Sequence, residues 1–207
     1  MTRPAFRMRL WVFAGLAALA AVIPAAAHHR GVPHEGPAIG VTIPAISHGE
    51  MHIIAKYRTR ILDLAAGQPV TDPTLRRLAN FVSLQYFACF RGLVPGSLSD
   101  ESSPFNECSH AYLAGARALL AHMVEMPGDQ SAAKALQERI DAELASDPAF
   151  GALCSNSQQV FDSAIIVPPE WTMIPAHPPT VLTFSAFTLL ISVAAGAVFY
   201  RTRRFNA

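Results

Sequence analysis

Residues 47–67 read SHGEMHIIAKYRTRILDLAAG, and this stretch decides the fold. Ser47 followed three residues later by Glu50 is a capping box, in which each side chain satisfies a backbone N–H that a new helix leaves without a partner. Ile54, Tyr57, Ile61 and Ala65 then recur at helical spacing, and Gly67 supplies a stop. A helix from Ser47 to Gly67 is therefore expected. The pattern repeats downstream. Asp72 as cap with Pro73 in the first turn opens a second helix, with Leu75, Leu78, Val82, Tyr86, Cys89 and Leu93 inward, closing near Gly92. A third is expected to start at Ser103-Pro104, to present Cys108, Tyr112, Gly115, Leu119, His122 and Met126, and to stop at Pro127-Gly128. The fourth, from about Asp129 to Ser146, places Ala133, Leu136, Ile140 and Leu144 inward and ends before Pro148. No comparable strand alternation is present. Consecutive amphipathic helices with short connections pack as antiparallel neighbours. The expected fold is thus mainly α: a small antiparallel bundle of about four helices outside the cytoplasm, plus one C-terminal transmembrane helix.

Outward from this core, both ends of the chain are greasy. Apolar residues make up 51% of the 207-residue chain, but they are concentrated at its two ends. Arg3, Arg7 and Arg9 precede an uncharged apolar run, Leu10 to Ile23, which is short against the ~20 residues a spanning helix needs. Pro24 ends the run, and Ala25-Ala26-Ala27 offers small residues where a signal peptidase reads them. Residues 1–27 are therefore read as a cleaved signal peptide rather than an anchor, with His28 as the first mature residue. Thr180 to Tyr200 is a 21-residue stretch without a charge, long enough at ~1.5 Å per residue to cross a ~30 Å hydrocarbon core. Arg201, Arg203 and Arg204 follow it directly. Basic residues beside a span stay in the cytoplasm, and export sends the middle of the chain outward, so both signals give one orientation. The expected location is the inner (plasma) membrane, single-pass, with residues 201–207 as a basic cytoplasmic tail. Trp171 and Tyr200 are candidates for the two interfacial belts.

Between the hydrophobic ends lie a flexible His/Pro/Gly-rich arm (28–44), the helical exported domain (45–160) and a Pro-rich stalk (161–179). Pro168, Pro169, Pro175, Pro178 and Pro179 favour extended, semi-rigid geometry, as suits a spacer between domain and lipid. All fifteen acidic residues fall between the apolar runs, against ten of the basic ones, giving the middle a net charge of −5. Nucleic-acid binding needs clustered Lys and Arg, so no nucleic-acid partner is expected. Thr188, Ser192 and Gly196 recur every four residues along the span, a stripe of small side chains that lets helices approach closely. The partners expected are the lipid bilayer and, through this stripe, a membrane protein or a second copy of the chain.

Cys89, Cys108 and Cys154 all survive export into a disulfide-permissive compartment, which suggests one bridge and one odd thiol. In a hairpin of the second and third helices, Cys89 and Cys108 come level on either side of the loop, and Cys108 to Cys154 is the competing pairing. No Cys-x-x-Cys motif is present, hence no thioredoxin-like centre and no covalent haem site.

Eight histidines are many for this length, and five lie between His28 and His52. A freed His28 amine and ring would chelate together, and one further imidazole would complete a T-shaped copper site, nitrogen donors that suit Cu(II). His29, His34, His48 and His52 are the candidate further ligands. His48 and His52 are one turn apart, but their pattern places them with Lys56 and Thr59 on the solvated face opposite Ile54 and Ile61. His-Gly-Glu-Met-His also lacks the His-Glu-x-x-His order of zinc proteases. His110 is expected on the outer face of the third helix with Glu107, Ala114 and Arg117. His122 is expected on its inner face as a packing residue, and Met51, Met123 and Met126 as core filling. No nucleophile elbow and no Gly-rich phosphate loop is present, and Glu138, Asp141 and Glu143 read as solvated surface. The sequence thus points to a non-enzymatic accessory or interaction subunit without a cofactor, with a copper-binding or metal-delivery protein as the alternative.

Overall fold

A computed structural model describes residues 40–90, 94, 96–148 and 156–205. The expected signal peptide, His28, His29 and His34 of the arm, and Cys154 lie outside the described residues. The elements in chain order are β1 (Thr42–Ile43), α1 (His48–Ala66), α2 (Pro73–Ala88), α3 (Asn106–Glu125), α4 (Ser131–Ser146), β2 (Phe161–Asp162), a 3₁₀ turn (Trp171–Ala176) and α5 (Pro178–Phe205). The chain is mainly helical with one C-terminal apolar helix, as the periodicity predicts.

Helix starts follow the capping chemistry. Glu50 N–H donates to Ser47 Oγ at 3.1 Å and Ser47 N–H to Glu50 Oε2 at 2.8 Å, completing the box at α1. Asp72 Oδ1 accepts from Leu75 N–H at 2.7 Å, with Pro73 at the first helical position of α2. Among α1 to α4, two boundaries differ from expectation by three residues or more. α2 stops at Ala88, with Cys89 as its cap, and Phe90 takes a left-handed backbone (φ 56°) that ends the helix short of Gly92. α3 begins at Asn106 rather than Ser103, because residues 103–105 form turns in which Asn106 N–H donates to Ser103 C=O at 2.9 Å.

α3 is the centre, packed against α1, α2 and α4. Every residue from Cys108 to Ala116 is buried, so this part of the helix has no outer face. Gly115 permits the closest approach: a Cβ there would stand 2.8 Å from the Phe81 ring of α2. Ile53, Ile54 and Ile61 of α1, Leu78 and Val82 of α2, and Leu136 and Ile140 of α4 fill the space around it. On the outside, Glu143 of α4 accepts from Lys56 and, at 2.7 Å, from Tyr57 Oη, joining α4 to α1. Arg117 pairs with Asp141 at 2.6 Å. Glu143 and Asp141 are thus helix-to-helix ties rather than simply solvated surface.

The segment expected to be a free stalk is docked instead. β2 pairs antiparallel with β1, Ile43 opposite Phe161, which also orders the end of the arm. Ile43 is fully buried. Gln85, buried in α2, exchanges two hydrogen bonds with the Val167 backbone, at 2.7 and 3.0 Å. Further along, Glu170 N–H donates to Pro104 C=O at 2.9 Å. Residues 161–177 therefore form a strap lying on the domain. The prolines do favour extended backbone, but an extended chain can hydrogen-bond sideways to a neighbour as readily as to water.

Candidate functional site

Two constellations of side chains stand out, one where the domain meets α5 and one where α1 meets α3.

The first is aromatic. Phe90, Phe105, Trp171 and Phe184 come from the end of α2, the loop before α3, the 3₁₀ turn and α5, and their rings touch. Phe90 stands edge-on to Phe184 at 5.1 Å and to Trp171 at 6.3 Å, and Phe105 stands edge-on to Trp171 at 5.9 Å. Edge-to-face pairs at such distances each add ~0.5 to 1.5 kcal/mol beyond area burial. A bulky side chain at positive φ costs on the order of 1–3 kcal/mol and persists only when its surroundings hold it. Here the ring contacts hold Phe90, although the residue remains 49% exposed.

A polar lock lies beside the rings. His177 is the cap of α5, and its Nδ1 accepts from Thr180 N–H at 3.3 Å. The Nε2 atom lies 2.9 Å from Asp100 Oδ2, a carboxylate oxygen that can only accept, so Nε2 donates there and Nδ1 also accepts from the Thr180 hydroxyl at 2.7 Å. Pro178 and Pro179 have no N–H, and Val181 N–H donates to His177 C=O at 3.1 Å. The start of α5 thus carries no unsatisfied donor. Asp100 is held below the usual carboxylate range by its bonds to the Ser102 hydroxyl and to His177. His177 was not among the expected functional residues; its position immediately before Pro-Pro and an apolar run was the available signal for a helix cap.

The second constellation is three imidazoles. His48 and His52 of α1 lie edge-on at 5.2 Å between centroids, and His48 faces His110 of α3 at 5.9 Å. This corrects two expectations. His110 is fully buried rather than outward, and His48 and His52 are half-buried under it rather than on a solvated face. His122, expected inside, reaches the surface end of α3 and pairs with Asp72 at 2.8 Å. Burial and the neighbouring His48 push the His110 pKa down to about 4. Burial first, then His52, lowers that of His48, against the opposing pull of Glu101. His48 Nδ1 is shut off from solvent and has no hydrogen-bond partner among the described residues. Among those residues no three His, Cys, Asp or Glu side chains are arranged to hold a metal ion.

Cys89 and Cys108 form a disulfide with their Cα atoms 5.7 Å apart, both side chains buried beside Gln85. Cys108 is therefore not available to Cys154. Along α5, Thr188 Oγ1 donates to Phe184 C=O and Ser192 Oγ to Thr188 C=O, each at 2.8 Å. Their hydroxyls are spent inside the helix, which suits an apolar surrounding. The space beside Gly196 is open.

Comparison with protein-family models, with curated proteins and with solved structures finds no match to this chain.

Proposed function

We propose that this chain is a single-pass protein of the inner (plasma) membrane. In this reading an antiparallel helical bundle stands on the extracytoplasmic, periplasmic side and the basic end of α5 in the cytoplasm, and the protein acts as a non-enzymatic accessory or interaction subunit. One observation carries it: Pro178–Arg201 is a 24-residue helix long and apolar enough to cross a membrane, and in its most apolar 18-residue window no residue is buried among the described residues. At ~1.5 Å per residue it reaches about 36 Å, enough for a ~30 Å hydrocarbon core. Export ahead of the domain and arginines behind the span support the orientation. The stripe of Thr188, Ser192 and Gly196 supports a partner helix, either a membrane protein or a second copy. Purification from native membranes in mild detergent tests the reading. Recovery of a stoichiometric companion, or of a homo-oligomer that a bulky residue at Gly196 dissociates, is the expected result. A chain that leaves the membrane in alkaline carbonate and always purifies alone contradicts it.

The closeness of His48 to His52 and to His110 motivates a second reading, metal binding by imidazole, with copper the ion that nitrogen donors suit best. It requires the rings to turn toward a common point, and a freed His28 would add an amine. Titration with Cu(II) of the chain beginning at His28, beside His48→Ala and His28→Ala variants, decides it. Binding lost in the variants supports this reading, and the absence of binding removes it.

A further inference from the structure

We propose that the junction between the domain and α5 holds one acyl chain of a lipid from the leaflet on the domain side. The inference rests on the membrane reading above, and the lipid would compete with a partner helix for Thr188 and Ser192. A shallow, open groove of about 590 Å³ is lined by Phe90, Trp171, Ile174, Pro175, Val181, Phe184 and Ser185. Among the described residues that line it, the side-chain polar atoms are the Trp171 indole nitrogen and the Ser185 hydroxyl. Trp171 is 50% exposed despite its ring contacts, so the apolar wall is open on one side.

The occupant follows from what the wall is made of. Val181, Phe184 and Ser185 belong to the first turns of the spanning helix, so the groove lies where that helix enters the hydrocarbon, and a tryptophan at its rim suits the interface. A second depression continues from it, lined by Phe184, Ser185, Thr188, Leu189 and Ser192. The two share Phe184 and Ser185, forming one track from Val181 to Ser192. Eleven steps at 1.5 Å make that track about 16 Å long, close to half of a ~30 Å hydrocarbon core, which is the depth one acyl chain occupies. Hydroxyls on the track do not oppose an apolar occupant, because those of Thr188 and Ser192 bond to backbone carbonyls of α5 itself. The strained backbone at Phe90 has a place in this account. It turns an aromatic ring out of the end of α2 to wall the groove, at the site where a glycine would ordinarily end the helix without strain.

Trp171 provides its own probe, because Trp11, the other tryptophan of the sequence, lies in the segment read as a signal peptide and Trp11→Phe silences any uncleaved chain. The full chain carrying that change is reconstituted into phosphatidylcholine vesicles whose acyl chains are brominated, and Trp171 fluorescence is compared with that in unbrominated vesicles. Ser185→Phe and Leu189→Phe, both on exposed positions of α5 where folding is not at stake, fill the track. The expected result is strong quenching of Trp171 that each filling variant largely abolishes. Quenching unchanged by both variants would mean ordinary boundary lipid and would overturn the site. Absence of quenching in chains that float with the vesicles would overturn it too, and if quenching returned when the protein is diluted in lipid, the groove would belong to a partner helix. Chains that fail to float would refute the membrane reading itself, an outcome distinct from the others.

Discussion

Lowering the pH from 7.5 to 4.5 should weaken the fold through one buried side chain, His110. Its imidazole is fully buried on α3, faces His48 of α1, and has a pKa of about 4 against the 6.5 of an exposed imidazole. A histidine with a depressed folded-state pKa contributes its full stabilisation above the unfolded value. It loses that contribution as pH falls from about 6.5 to about 4, because the unfolded chain takes up the proton that the folded chain refuses. Linkage over this window gives a loss on the order of 2–3 kcal/mol by pH 4.5, a large fraction of the stability of an ordinary domain. His48, whose pKa is also lowered, adds in the same direction, and Glu101 opposes it. Depressed carboxylates such as Asp100 and Glu143 begin to lose their contribution near the bottom of this window, and they do so equally in both proteins, so the difference between the two profiles is that of His110. The assay is denaturant unfolding of the full chain in detergent, followed by circular dichroism at several pH values, for the natural chain and for His110→Asn. The natural chain should lose stability steeply between pH 6.5 and 4.5, and the variant should be weaker at pH 7.5 but much flatter across that window. Parallel pH profiles for the two proteins would refute the burial argument.

Three further outcomes follow from the packing. Gln85→Leu removes both bonds to the Val167 backbone and should cost about 2–3 kcal/mol in denaturant unfolding, with amide exchange at Val167 accelerated more than in α4. Gly115→Val drives a branched side chain into the Phe81 ring, which lies 2.8 Å from the first added carbon; a loss of about 2–3 kcal/mol is expected, and an unchanged midpoint would show that α2 and α3 do not approach there. His177→Ala removes the acceptor for Thr180 N–H and the bond to Asp100, so α5 should lose about 1 kcal/mol of capping, and limited proteolysis should cut residues 168–177 faster with the helical content of the domain unchanged.

The parts of this fold that are legible in the sequence are those governed by local chemistry. Ser47 with Glu50, and Asp72 with Pro73, state where α1 and α2 begin, because a cap satisfies donors only a few residues away. The apolar span of α5 is equally plain, since length and lack of charge are sufficient to read it. The bridge between Cys89 and Cys108 is the pairing a hairpin of α2 and α3 brings level, and it is the one formed, beside Gln85. Distant contacts were not legible. The prolines of residues 161–179 indicate extended backbone but not what the backbone lies on, and its anchors are Gln85 and Asp100, 82 and 77 residues away. His110 was misplaced by reading α3 as having an outer face. The unbroken run from Cys108 to Ala116 contains no charge, and that was the available sign of a helix buried on all sides. The imidazole cluster then follows from packing two segments 62 residues apart, which periodicity within either one cannot reveal.

The account stands on α5 crossing the membrane with its arginines inward. Protease added to intact spheroplasts of a bacterial host expressing the chain with a C-terminal epitope tag tests this directly. The helical domain should be digested while the tag and α5 remain protected, and the tag should be lost only after the membrane is permeabilised. A domain that survives in intact spheroplasts, or a tag cut together with it, would contradict the orientation and with it the oxidising surroundings assumed for the Cys89–Cys108 bridge.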